Sequence, residues 1–240
     1  MTGWDQPTAV TEDAIGTGCG PLDDLLGGGF ERGTVTQVYG PPAAGKTNLA
    51  LSAAVGVAAS GGRVLYIDTE GLSLDRFRQM AEGVDADAET LASRLITSEA
   101  YDFDEQETAV RDAAEFASEV DLIVLDSATG HYRLEREEDD EGATLRRVGR
   151  QVRHLLGLAR REGLAVVVTN QVFTDPDSGN PRALGGHTLD HWTGVVLRLD
   201  RFRGGKRRAT LEKHHAREAG GTVAFTIAAD GIEAADRLER

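Results

Sequence analysis

Cysteine is all but missing. Cys19 stands alone among 240 residues, which excludes a disulfide framework and a zinc site built on thiolates. Lysine is nearly as scarce: Lys46, Lys206 and Lys213 are the three, so 23 of the 26 basic residues are arginine. Long apolar runs are absent too. The longest, residues 49–59, is interrupted by Ser52 and Gly56 and is about half of what a membrane-spanning helix needs. Met1 to Pro7 show no basic start followed by an apolar stretch, so no secretory signal is read and a cytoplasmic protein away from membranes is expected.

What is present is acid. Forty Asp and Glu face 26 Lys and Arg, a formal net charge of −14, while hydrophobic residues still make up 40%. That is enough to bury a core at this length, so wholesale disorder is excluded. An acid-rich, lysine-poor surface suits a cytoplasm crowded with salt, where short-range hydration outweighs screened repulsion; arginine-biased codons are the plainer reading of the same scarcity.

Strand-like and helix-like segments alternate along the chain, the pattern of an α/β fold with a mainly parallel central sheet and helices on both faces. Strands are expected at 34–39, 63–68, 95–98, 121–126 and 164–169, and helices at 48–60, 104–118 and through the stripe Leu145, Val148, Val152, Leu155, Leu156, Ala159. Glycine and proline punctuate 175–186, read as a long loop. Beyond it, 195–202 and 208–213 flank Arg203, Gly204, Gly205 and Lys206, a C-terminal β-hairpin signal, and 222–227 reads as a last strand. No repeat or linker divides the chain. One domain over 1–240 is expected, with a tail at 1–15, a lead-in at 16–33, a core at 34–229 and a second tail at 230–240.

Gly40-Pro41-Pro42-Ala43-Ala44-Gly45-Lys46-Thr47 matches the phosphate-binding loop G-x-x-x-x-G-K-[ST], and it follows a strand and opens a helix as that motif requires. Its glycines let backbone N–H groups turn around phosphate oxygens, and the helix start adds positive potential. Lys46 is expected to reach the β- and γ-phosphates, and the Thr47 hydroxyl to coordinate Mg²⁺. Asp126, ending an apolar strand, suits a Mg²⁺ partner acting through water, or a cap on the following turn. Glu70 lies just beyond strand 63–68, where a carboxylate can polarise a water for attack on the γ-phosphate. By spacing alone Asp68 competes with it, and a capping role suits either. Gln171 ends the strand before the long loop, placed to report hydrolysis to that loop or simply to satisfy backbone groups at the strand end.

Residues 198–217 run against the overall charge. Eight bases against two acids give +6 there and leave −20 on the rest. Arg203, Lys206, Arg207 and Arg208, with Arg182 in the neighbouring loop, suit a DNA phosphate backbone; a solvated edge hairpin using charge against aggregation is the alternative.

With these pieces placed, the chain resembles the RecA/RadA recombinase superfamily, and within it the archaeal RadB paralogues. TGCGPLDDLLGGGFERGTVTQVYGPPAAGKT carries the most specific likeness, and YIDTEG, LIVLDSAT, VVTNQV, ALGGHTLDHW and LRLDRFRGGKRRATLEKHHA follow in order. The composition suggests a halophilic archaeal member. The resemblance implies a RecA-like P-loop ATPase core using ATP and Mg²⁺, with the catalytic glutamate at Glu70, the strand-end aspartate at Asp126 and the γ-phosphate-sensing glutamine at Gln171. It places DNA-contacting loops near 131–142 and 174–186. It sets Arg76 against adenine, and Lys213 where relatives reach a neighbouring subunit's ATP. The full recombinases also carry an N-terminal helix-hairpin-helix domain, a Phe-x-x-Ala tether and a proline-rich cap. Here some 15 residues precede the core, no such tether stands among them, and EKHHAREAGG replaces the cap. The implied role is an accessory of DNA repair and recombination: ATP and DNA binding (single-stranded or branched), feeble ATPase activity, and a recombinase, a branched-DNA nuclease or a further copy of the chain as partner. A filament-forming strand-exchange recombinase and a KaiC-like signalling ATPase that ignores DNA are the alternatives.

Overall fold

The computed structural model describes residues 14–132, 141–174, 181–184 and 186–235. Its centre is a run of strands rich in Val, Ile and Leu: β3 (Val35–Tyr39), β4 (Val64–Asp68), β6 (Leu122–Asp126) and β7 (Ala165–Asn170), in which every residue is buried. Burial on both faces is what a parallel sheet sandwiched by helices demands. The period of two is visible in the packing. Val64 and Tyr66 of β4 join one apolar cluster, Leu65 and Ile67 the other.

With β5 (Leu95–Glu99), β10 (Val195–Arg201), β11 (Lys206–His214), β12 (Thr222–Ile227) and β13 (Ile232–Ala234), these make a nine-stranded sheet ordered β13-β12-β11-β10-β3-β7-β6-β4-β5. From β10 to β5 neighbours run parallel; β10 through β13 are antiparallel. Two short ribbons lie outside it: β1 (Ala14–Ile15) with β2 (Phe30–Glu31), and β8 (Val172–Thr174) with β9 (Pro181–Ala183).

The helices are α1 (Gly20–Leu26), α2 (Lys46–Ala59), α3 (Leu74–Gly83), α4 (Ala88–Ala92), α5 (Phe103–Asp112), α6 (Glu141–Glu162) and α7 (Gly186–Asp190). α1 to α4 cover one face of the sheet; α5, α6 and α7 cover the other. α2 is apolar almost all round and sinks Leu49, Ala50, Ala53 and Ala54 completely. α3, α4 and α5 begin at Ser73, Asp87 and Asp102, whose side-chain oxygens accept the amides of Arg76, Thr90 and Glu105. No helix among the described residues is long and apolar enough to cross a membrane.

Three local expectations are corrected. Ile232 to Ala234 of the expected C-terminal tail pair with β12, because Ile232 has an apolar slot to fill. The loop read over 175–186 contains β9, held on β8. The helix read over 104–118 begins at Phe103 and gives way to a 3₁₀ turn at Ala113–Glu115.

Candidate nucleotide site

β3 delivers the chain to the loop at residues 40–45, and α2 leaves it at Lys46. Two glycines are dictated by the backbone. A Cβ on Gly40 would lie 2.3 Å from the Leu199 carbonyl oxygen of β10, and Gly45 sits at φ +104°, facing Ile227. Ala43 is also held at φ 59°, unfavourable for a residue with a Cβ. No side chain caps α2, and helix geometry leaves its first-turn N–H groups without partners inside the helix. The loop therefore presents unspent amides.

The loop and the first turn of α2 border a cavity of about 290 Å³, bounded by Pro42, Ala43, Gly45, Lys46, Thr47 and Asn48 on one side and Glu70, Gln171 and Val172 on the other. Gly40, Pro41 and Ala44 shape the loop without lining this space; Ala44 is buried in the core. Lys46 is 8% exposed, its ammonium donating to the carbonyl oxygens of Gly40 (3.0 Å) and Pro41 (3.3 Å). Burial pulls its pKa below the ordinary 10.5, against the pull of Glu70 and Asp126.

Asp126 sits behind Thr47, 1% exposed. Its carboxylate accepts from Tyr66 Oη (2.8 Å) and from Thr169 Oγ1, and the Thr47 hydroxyl is near enough to favour its charged form. Burial raises its pKa and the three hydroxyls oppose that rise. Burial and the Asp126 carboxylate also push the Tyr66 phenol well up. No group of three or more His, Cys, Asp or Glu that could hold a metal ion stands among the described residues. One carboxylate beside one hydroxyl is an all-oxygen donor set that fits Mg²⁺, which takes one or two protein ligands and completes its shell with water and phosphate.

The environment separates Asp68 from Glu70. Asp68 is buried, and its two oxygens accept the backbone amides of Glu70 (3.1 Å), Gly71 (2.9 Å) and Leu72. It builds the turn. Glu70 leaves that turn exposed to the cavity, where Gln171 Nε2 donates to its Oε1 at 3.2 Å. The Gln171 backbone is fixed in turn: its amide donates to Thr129 Oγ1, and its carbonyl accepts the Leu184 amide at 2.9 Å.

Other expected site residues lie elsewhere. Arg76 does not line the cavity. It reaches from Asn48 Oδ1 (2.7 Å) to the carbonyls of Ala229 (2.5 Å) and Gly231 (3.2 Å), tying α2 and α3 to the β12–β13 turn. Lys213 donates to the carbonyls of Asp190 and Thr193 in its own chain. Arg208 pairs with Asp200 at 3.1 Å and covers the Phe202 ring. Arg207 runs beside Gly45, its Nε 3.5 Å from where a Cβ would stand there, and it donates to the Gly205 carbonyl. Lys206 opens β11, half-buried. Arg182 and Arg203 have described backbones, but their side chains lie outside the described residues, as do 133–140 and 175–180 of the two expected DNA loops. Tyr66 and Thr169 are the site residues that the sequence reading missed.

A lysine-bearing loop at the end of β3, carboxylates at or just beyond the ends of β4 and β6 and an amide just beyond β7 thus gather at one edge of the sheet. The sequence pattern of the Rad51 family matches residues 11–235. The chain belongs to the Rad51 family. Within that family it is 64% identical over 222 residues to the DNA repair and recombination protein RadB of Halobacterium salinarum, covering 91% of this chain and 94% of that one. The protein of the same name from Methanococcoides burtonii is 42% identical over 216 residues, covering 89% and 95%. The crystal structure of the RadB recombinase overlays with a TM-score of 0.80 at 40% identity, covering 92% of this chain and 100% of the other. The RecA-like α/β core expected from the sequence is the fold of this Rad51-family chain.

Proposed function

We propose that this Rad51-family chain binds ATP with Mg²⁺ and DNA in the cytoplasm, hydrolyses ATP slowly, and assists homologous recombination as an accessory factor. One observation carries the nucleotide part: Lys46, Thr47, Glu70 and Gln171 meet around a single cavity, with Asp126 directly behind Thr47. The amides of the loop and the Lys46 ammonium bind the triphosphate; phosphate oxygens replace the Gly40 and Pro41 carbonyls as its partners. Thr47 and Asp126 are the residues that would hold Mg²⁺, which when bound neutralises charge on the phosphates. Glu70 accepts the proton of the attacking water. Gln171 shares a hydrogen bond with Glu70, and its carbonyl holds Leu184, so a change at the γ-phosphate is felt at the β8–β9 ribbon.

The relatives' names, DNA repair and recombination protein, support the DNA part, as does the basic β10–β11 hairpin. The stretch EKHHAREAGG in place of a proline-rich cap favours an accessory role over a filament. The test pairs Lys46→Ala with Arg207→Glu/Arg208→Glu. Lys46→Ala is expected to remove the thermal stabilisation given by ATP·Mg²⁺, and the double charge reversal to weaken binding to a labelled DNA strand at least tenfold. An unchanged ATP-induced shift overturns the site; a wild-type protein that ignores DNA favours a signalling ATPase.

A further inference from the structure

α6 carries a surface that the nucleotide site does not use. Between Gly142 and Arg161 it contains no Asp or Glu but six arginines, in a chain where one residue in six is acidic. Val148, Val152, Leu155 and Ala159 face the core. Arg147 turns to the α5 side, pairing with Asp104 and Glu107 over the Phe103 ring. Arg146, Arg150, Arg153, Arg160 and Arg161 are exposed. At about 100° per residue they fall within one arc of roughly 100°, a ridge about 22 Å long.

Elsewhere arginines meet carboxylates, as in Arg32 with Asp121, Arg63 with Glu119 and Arg198 with Glu212. Arg150, Arg160 and Arg161 have no ion pair among the described residues, although the chain has fourteen negative charges in excess. Arg153 lies 5.5 Å from the centre of the half-buried Trp192 ring. A protein partner would need an apolar anchor, and the exposed large hydrophobic residues among the described ones, Leu74 and Tyr101, are not on α6. A phosphodiester backbone needs no anchor; it rewards density of guanidinium charge.

We propose that the arginine ridge of α6 is a track for the phosphate backbone of DNA, separate from the β10–β11 hairpin. The choice of DNA rests on the DNA-binding reading above; the ridge itself does not depend on the hairpin. The test is fluorescence anisotropy of a labelled 30-nucleotide single strand between 0.3 and 1 M KCl. Arg150→Gln/Arg160→Gln/Arg161→Gln is expected to raise Kd at least tenfold and to flatten the slope of log K against log salt by about 2, at roughly 0.7 per lost contact. Arg63→Gln/Arg78→Gln/Arg111→Gln, an equal charge change at arginines paired with acids, is expected to shift Kd less than threefold. Wild-type Kd and slope in the ridge variant, or equal losses in both variants, overturn the ridge. If the hairpin variant loses binding while the ridge variant does not, the ridge alone fails; a wild-type protein without DNA affinity removes both readings. Circular dichroism checks that each variant is folded.

Discussion

Asp68 and Glu70 stand two residues apart, and exchanging their carboxylates for amides should produce opposite phenotypes. Asp68 is buried and spends both oxygens on three consecutive amides, at 3.1 Å, 2.9 Å and a third closer contact to Leu72. A hydrogen bond to a charged group contributes about 1.5–3 kcal/mol. Gly71 is exposed and Leu72 half-buried, so water replaces part of what is lost. Asp68→Ala should therefore cost about 3 kcal/mol rather than the full sum. Asp68→Asn, which keeps one acceptor and turns an NH₂ toward an amide, should cost about 2 kcal/mol. Glu70 is exposed and has one bond, from Gln171 at 3.2 Å. Glu70→Gln should leave stability within about 0.5 kcal/mol. It should lower ATP turnover about 10²- to 10⁴-fold, the usual contribution of a general base, without weakening ATP binding. Guanidinium unfolding at fixed KCl measures the first effect, and single-turnover phosphate release the second. Wild-type turnover in Glu70→Gln, or wild-type stability in Asp68→Asn, refutes the division of roles.

That division could not be read from the chain, because a carboxylate's partners depend on the shape of the turn after it, and both residues have suitable spacing. The phosphate loop could be read, since the close approach of Gly40 to Leu199 and the left-handed backbone at Gly45 admit little else. Asp126 and Gln171 were legible for a related reason: parallel strands end at one edge of the sheet, and polar residues ending apolar strands collect there. Tyr66 lies inside an apolar strand with nothing beside it to mark it out. Its hydroxyl reaches Asp126 because β4 and β6 are neighbours in a register that sets Asp68 opposite Asp126, a pairing that alternation within one strand does not reveal. Where Arg76 and Lys213 settle within the chain was not legible, for the converse reason. Their guanidinium and ammonium are long and mobile in an unfolded chain, and the carbonyls that hold them lie 153 and 20 or more residues away. The three-residue strands β8 and β9 are too short for alternation to show, and Pro181 reads as a loop residue.

Two further substitutions test the frame around the site. Arg76→Ala removes the link from Asn48 to the β12–β13 turn; it should cost about 2 kcal/mol and speed proteolysis near residues 228–231, and a loss below about 0.5 kcal/mol would show that the link carries no load. Asp23 offers a pH test whose sign is unusual. It lies buried in α1, and desolvation pushes its carboxyl from 3.8 up to about 6, although the Thr17 amide donates to Oδ1 at 2.7 Å. The folded chain therefore holds this proton more tightly than the unfolded chain. Between those two pH values stability falls as pH rises, and above about 6 the ionised, buried group is a net cost. At 1.36 kcal/mol per pH unit the ceiling is about 3 kcal/mol. Asp23→Asn keeps an oxygen for Thr17 and never ionises. It should be more stable than wild type at pH 7 by up to about 3 kcal/mol, with the advantage shrinking toward zero near pH 4. Taking the difference between variant and wild type at each pH cancels the many other carboxylates, so a difference that does not change between pH 4 and pH 7 would mean that Asp23 titrates in the folded protein as it does in the unfolded one.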